Sequence, residues 1–238
     1  MKSLFRNTVD TLSRWTGVRR LPAFERASHV LDFYHFRRTH AQVPVFPERF
    51  GLYEYLNREV FGNVALCYLE FGVYKGDSFR KWIELNTHPD SVFTGFDTFE
   101  GLPEAWNMGG GQVAEKGAFD VGGRAPECDD PRGSFIAGVF QATLLPFISH
   151  GLSPRTQMVL HLDADLYSST LFCLTQLYAH ISPGTVIIFD ELVNSVHEYR
   201  ALKDWSQSHL IDFEVIGATP RFEQAAIRIT RKRSHYRE

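Results

Sequence analysis

Unbroken apolar runs recur along the chain, and helical periodicity fills the gaps between them. Short runs lie at 64–71, 91–97, 134–137, 157–165, 185–191, 213–217 and 224–230, and the one at 157–165 is apolar without strict alternation and ends in acids. That is the pattern of strands buried on both faces. Between them, residues 78–86, 140–149, 167–180 and 196–208 carry apolar positions at helical spacing, Tyr199, Leu202 and Trp205 among them. Strand and helix alternate, which predicts an α/β fold with a doubly wound, mostly parallel sheet. Residues 1–62 read as helices, with Leu12, Trp15 and Val18 on one stripe and Phe46, Phe50, Tyr53, Leu56 and Val60 on another. The second stripe precedes the first strand and is expected to pack over a pocket mouth. A face turned to the core explains the same spacing.

The first strand leads into Glu70-Phe71-Gly72-Val73-Tyr74-Lys75-Gly76-Asp77-Ser78, then into a helix. Gly72 and Gly76 permit a sharp turn and close approach to a ligand, and Asp77 or Ser78 can cap the helix. The spacing fits neither G-x-G-x-x-G nor a phosphate loop ending in Gly-Lys-Ser/Thr. Glu70, just before the loop, would repel a pyrophosphate. A cationic, phosphate-free cofactor suits the stretch, with S-adenosylmethionine the candidate; a packing loop with a helix cap explains it as well. Asp97 ends the second strand, where such folds hold ribose hydroxyls with an acid. Its bland alternative is a turn aspartate. Residues 104–133 are rich in glycine and proline and are expected to form an irregular lid or binding loop anchored by Trp106 and Phe119.

Acids gather at the predicted carboxyl ends of the strands: Glu70, Asp97, Asp163, Asp165, Asp190 and Glu191. Crowded carboxylates repel unless a cation joins them. Asp163, Asp190 and Glu191 could form an all-oxygen site for Mg²⁺. No C-x-x-C or H-E-x-x-H occurs, which argues against zinc. His161 is expected in the core, and His197 at a helix start.

Composition narrows the setting. The chain of 238 residues is long enough for one α/β domain and somewhat more. A net charge of −3 gives no reason to expect nucleic acid. Cys67, Cys128 and Cys173 are odd in number and lack metal spacing, so reduced thiols and a cytoplasmic setting are expected. No apolar run is long enough to span a membrane, and the basic N-terminal stretch has no continuous apolar core to act as a secretory signal.

Five segments together resemble the macrocin-O-methyltransferase-type (TylF-like) family of class I S-adenosylmethionine-dependent methyltransferases. They are Leu69-Glu70-Phe71-Gly72-Val73-Tyr74-Lys75-Gly76-Asp77-Ser78, Phe96-Asp97-Thr98-Phe99-Glu100-Gly101-Leu102-Pro103, Gly138-Val139-Phe140-Gln141-Ala142-Thr143-Leu144, His161-Leu162-Asp163-Ala164-Asp165-Leu166-Tyr167-Ser168-Ser169-Thr170 and Val186-Ile187-Ile188-Phe189-Asp190-Glu191. They follow the family's order and cover about residues 50–230. The resemblance implies a Rossmann-like seven-stranded sheet with the last strand antiparallel, preceded by N-terminal helices. It divides the chain into a helical cap at 1–62 and a methyltransferase domain at 63–232. It places Glu70, Gly72, Gly76, Asp77 and Ser78 at the methionine part of the cofactor, Asp97 at the ribose, and Gly138 and Phe140 at the adenine. It implies methylation of a hydroxyl on a sugar or other small natural product, with Mg²⁺ on Asp163, Asp190 and Glu191; Asp163 is the candidate base for the hydroxyl proton. The 104–133 loop and the 44–60 segment would close over the acceptor. Some relatives of this kind assemble through N-terminal helices, so a homo-oligomer is compatible. The family's usual Asp-Asp-Tyr at the metal position is here Asp190-Glu191-Leu192. Two rival functions remain: a metal-dependent glycosyltransferase using Asp163-Ala164-Asp165 as its D-x-D motif, and a catalytically silent scaffold of the same fold.

Overall fold

A computed structural model describes residues 22–109, 111–152 and 156–233; the stripe of Leu12, Trp15 and Val18 lies outside them. Helix α1 spans Pro22–Thr39 and α2 spans Arg49–Tyr55, which runs on as a π-helical turn over Leu56–Phe61. Then come β1 (Leu66–Phe71), α3 (Asp77–Leu85) and β2 (Val92–Asp97). A hairpin of β3 (Trp106–Gly109) and β4 (Gln112–Ala114) interrupts the long loop. It is followed by β5 (Gly133–Ala137), α4 (Phe140–Ser149), β6 (Gln157–Leu162), α5 (Tyr167–Leu177) and β7 (Val186–Phe189). The chain finishes with α6 (Glu198–Ser208), β8 (Ile211–Ala218) and β9 (Ala225–Lys232).

Seven strands form one sheet in the order β5-β2-β1-β6-β7-β9-β8. β5, β2, β1, β6 and β7 run parallel, and β9 is antiparallel to both neighbours. The expected fold class, with its last strand antiparallel, is therefore present. The order reverses direction between β1 and β6, the place where open α/β sheets leave a crevice at their carboxyl ends.

Strand periodicity sorts the core into two layers. Cys67, Leu69 and Phe71 of β1 face a cluster with Leu160 and Leu162 of β6, Leu174 and Leu177 of α5, Trp205 of α6 and Phe33 of α1. Leu66 and Tyr68 face the other layer, with Val159 of β6, Phe79 and Trp82 of α3, and Leu52, Tyr53 and Leu56 of α2. The stripe on α2 is thus core: no residue of 44–60 lines the cavity described below, and Tyr53 stacks on Trp82 at 5.3 Å between ring centroids. Burial of these large side chains under the sheet outweighs any role over a solvent-filled mouth.

The long loop is more regular than its composition suggests. Besides the hairpin, Leu102 and Val121 donate their amides to the carbonyls of Ala118 and Phe99 at 2.9 and 3.2 Å. Among the described residues no helix is long and apolar enough to cross a membrane.

Candidate active site

The connections leaving β1, β2 and β6 surround a cavity of about 320 Å³. Gly72, directly after β1, has φ +92°, and a Cβ there would stand 1.8 Å from the carbonyl oxygen of Asp163. Only glycine lets these two connections pass. Asp97, at the end of β2, reaches the wall. One carboxylate oxygen accepts from the amides of Val73 and Tyr74, both at 2.7 Å, and the other from Phe99 at 2.8 Å. The carboxylate therefore pins the glycine loop to β2. Three of its roughly four acceptor positions are used, leaving about one for a ligand hydroxyl. The start of α4 closes another side with Val139, Phe140 and Gln141. The long loop supplies an apolar wall of Leu102, Trp106, Met108 and Phe119, with Tyr74 edge-on to Phe119 at 5.8 Å.

Three carboxylates complete the wall: Asp163, Asp165 and Glu191. They leave the strand ends a residue or more after β6 and β7 stop, which frees them from the sheet. Burial, with Asp190 and Asp165 close by, pushes the Asp163 carboxyl well above the usual range. Burial and Glu191 push Asp165 up to about 7, and burial and Asp190 push Glu191 up to about 7. Glu198, on the first turn of α6, is fully buried and also shifted well upward by that burial; its Oε2 accepts the Glu191 amide at 2.9 Å. The lining includes neither lysine nor arginine, so the cavity is strongly acidic.

The expected site residues divide. Gly72, Asp97, Phe140, Asp163 and Glu191 line the cavity; Glu70, Gly76, Asp77, Ser78, Gly138 and Asp190 do not. Gly76 caps α3 at φ +79°, and Asp77 is exposed and paired with Arg80 at 2.8 Å. Ser78 is buried, and Gly138 donates its amide to the Asp97 carbonyl at 2.8 Å. Glu70 shares a strand face with Leu66 and Tyr68, so period 2 turns it under the sheet. There it is 1% exposed and accepts the Tyr68 hydroxyl at 2.5 Å. Tyr68 in turn accepts from His161 Nδ1 at 2.7 Å, and His161 Nε2 lies 3.3 Å from the Tyr53 hydroxyl and 3.7 Å from Asp190 Oδ1. Burial alone would lower the His161 pKa, but Asp190 and Glu70 outweigh it and raise it to about 10. His161 is a core histidine, as expected, although its role is to hold positive charge between two acids.

Asp190 belongs to this buried chain. Arg49, from the start of α2, approaches its other oxygen at 3.7 Å, and the balance of burial against His161 and Arg49 leaves its pKa lowered. Among the described residues no three His, Cys, Asp or Glu side chains are grouped to hold a metal ion. Asp163, Asp190 and Glu191 as placed do not fit Mg²⁺: two stand on the cavity wall and the third is engaged from behind by Arg49 and His161. Arg49 escaped the sequence reading because it lies far from the strand-end motifs, and Glu198 because it stands inside the following helix. The acid in the first turn of the helix after the fifth strand was the one available signal.

An S-adenosylmethionine-sized cation fits what is present. The cradle of Gly72 excludes any Cβ, Asp97 keeps an acceptor position, and the acid wall favours a sulfonium and an ammonium over a phosphate.

Residues 123–218 match the sequence model of the family described as macrocin-O-methyltransferase (TylF). No curated protein matches the chain. Among solved structures, the calicheamicin methyltransferase CalS11 is similar with TM-score 0.59 and 21% identity, over 86% of this chain and 92% of that one. The O-methyltransferase NovP gives TM-score 0.59 and 23% identity over 77% and 80%. An apo structure of CalS11, described there as a TDP-rhamnose 3'-O-methyltransferase, gives 0.53 and 20% over 86% and 94%. At these identities the structures speak for the fold, and the family match covers 96 of the 238 residues. The chain thus shares the fold of these methyltransferases, and its residues 123–218 resemble the macrocin-O-methyltransferase family.

Proposed function

We propose that the protein methylates a hydroxyl of a small molecule, a sugar or related natural product, and that Asp163 removes the hydroxyl proton. The observation that carries this reading is the position of Asp163: it lines the cavity directly behind Gly72, with its carboxyl held well above the usual range by burial and by Asp190 and Asp165. S-adenosylmethionine, when bound, supplies a methyl group already activated on sulfur. Gly72 gives it room, Asp97 takes a ribose hydroxyl on its remaining acceptor position, and Phe140 flanks the adenine. Gly76, Asp77, Ser78 and Gly138 support the loop and helix start from behind, and Glu70 acts on the far face of the sheet. The acceptor lies against Leu102, Trp106, Met108 and Phe119, whose apolar surface excludes water and suits the C–H face of a sugar ring. Its hydroxyl points at Asp163, which takes the proton as the oxygen bonds to carbon.

The segments 1–62 and 63–232 act in this reading as one unit, since α1 and α2 complete the two core layers. Mg²⁺ takes no part in the mechanism, because the expected ligands do not fit it. The D-x-D alternative is disfavoured by the same acid wall, which repels a diphosphate.

Calorimetry with S-adenosylhomocysteine and turnover against a panel of deoxysugar and sugar-nucleotide acceptors test the reading. Asp163→Asn is expected to keep S-adenosylhomocysteine affinity and lose about 10²–10⁴-fold in kcat. An Asp163→Asn enzyme as fast as the parent would remove Asp163 as the base, and absence of S-adenosylhomocysteine binding would sink the cofactor assignment.

A further inference from the structure

We propose that Arg49 is the resident cation of the Asp190 carboxylate, standing where a divalent ion would be needed, and that this methyltransferase is therefore metal-independent. The inference rests on the methyltransferase reading above and concerns how this chain's strand-end acids are neutralised.

The geometry supports it from three sides. Arg49 Nη1 lies 3.7 Å from Asp190 Oδ2, while His161 Nε2 lies 3.7 Å from Oδ1, so both oxygens face protein cation-bearing groups. The third contact is from below: the Gln224 side-chain amide donates to the Asp190 carbonyl at 3.0 Å and fixes the backbone that aims this carboxylate. Asp190 is 6% exposed and absent from the cavity wall, so an ion in the cavity meets Asp163, Asp165 and Glu191 first. Arg49 is partly exposed, with its side chain at 36%, and is carried by a well-packed helix. Its guanidinium lies 5.4 Å from the Phe50 ring centroid, and α2 is anchored in the core by Leu52 and Tyr53, both fully buried. A guanidinium held this way supplies charge without a coordination shell.

The neighbouring acid is placed differently. Glu191 follows Asp190 directly, and its amide is fixed by the buried Glu198. Its longer side chain lines the cavity while Asp190 stays behind, so the two adjacent acids are turned to different surroundings. Arg49 thus acts as a positioning residue: it ties the start of α2 to the loop that carries both acids.

The test uses the full chain saturated with S-adenosylhomocysteine. That binding is checked first by calorimetry; its absence overturns the methyltransferase reading and leaves the metal question to be read on the free protein. Mn²⁺ is then titrated and followed by electron paramagnetic resonance. The expected result is no stoichiometric binding at millimolar Mn²⁺ and turnover unchanged in chelator. Arg49→Ala is expected to bind one Mn²⁺ in the same titration, because it exposes Asp190. Arg49→Lys, which keeps the charge, is expected to remain without Mn²⁺ and to retain the parent's pH profile. One Mn²⁺ bound to the parent protein, or turnover abolished by chelator, overturns the proposal, as does an Arg49→Ala protein that folds and still binds none.

Discussion

At the scale of single residues, Asp97 shows how one side chain can serve the fold and the ligand together. Its three amide partners sit on the glycine loop and on the turn after β2. Each charge-assisted bond is worth about 1.5–3 kcal/mol. Asp97→Ala is therefore expected to melt well below the parent and to bind S-adenosylhomocysteine more weakly. A residue that touched only ribose would weaken binding with no change in Tm, so differential scanning calorimetry beside titration calorimetry separates the two. The acid at the end of β2 was legible in the sequence; its amide partners were not, because they come from backbone of a different connection. Glu70 shows the opposite case. Its place before the glycine loop suggested the ligand, whereas counting by two from Leu66 through Tyr68 turns it under the sheet, to Tyr68 and His161.

At the scale of elements, the long loop carries the acceptor wall, and two of its contacts reach across to the segments around α5 and α6. Ser168 at the start of α5 donates its hydroxyl to Glu104 at 2.5 Å, and Asn194, before α6, donates to the Asn107 carbonyl at 3.2 Å. Removing one such bond costs about 1 kcal/mol, roughly a five-fold shift in the balance between closed and open. Ser168→Ala with Asn194→Ala is expected to raise the acceptor KM more than ten-fold while S-adenosylhomocysteine affinity changes little, and to speed proteolysis within 104–133. Unchanged KM and unchanged cleavage would show that these tethers do not hold the wall. The loop's length and its aromatic anchors were visible in the sequence. The hairpin of β3 and β4 was not, because Gly109, a masking run of glycines and two very short strands carry no alternation of their own. The α2 stripe left mouth and core both open for a related reason: helical periodicity says which face is apolar and not which surface it meets.

At the scale of the whole molecule, charge buried beneath the sheet should make stability depend on pH. His161 has a folded pKa of about 10, above its ordinary 6.5. Its contribution is complete below about 6.5 and is lost as pH rises through about 10. Asp165 and Glu191, raised to about 7 from 3.8 and 4.5, act in the same sense at lower pH. Asp190, lowered from 3.8, acts oppositely and only in acid. The melting temperature is thus expected to fall steadily from pH 6.5 to pH 10, and His161→Gln to flatten that slope; equal slopes in the two proteins would contradict a buried imidazolium. The alternation of strands and helices made the sheet readable in outline, and the family-like motifs fixed its ends, but the buried charges depend on which strands become neighbours. Glu70 and His161 are 91 residues apart and meet only because β1 pairs with β6. The sheet's order has one more consequence, in time instead of energy. β9 is the last strand along the chain yet lies inside the sheet, bonded to β7 on one side and β8 on the other. During synthesis the parallel half can assemble first, but β8 has no partner to join until β9 emerges and threads between it and β7. Until that moment the apolar edge of Val186–Phe189 stands open to a neighbouring nascent chain, which makes the final strand the step at which a chaperone would have most to do.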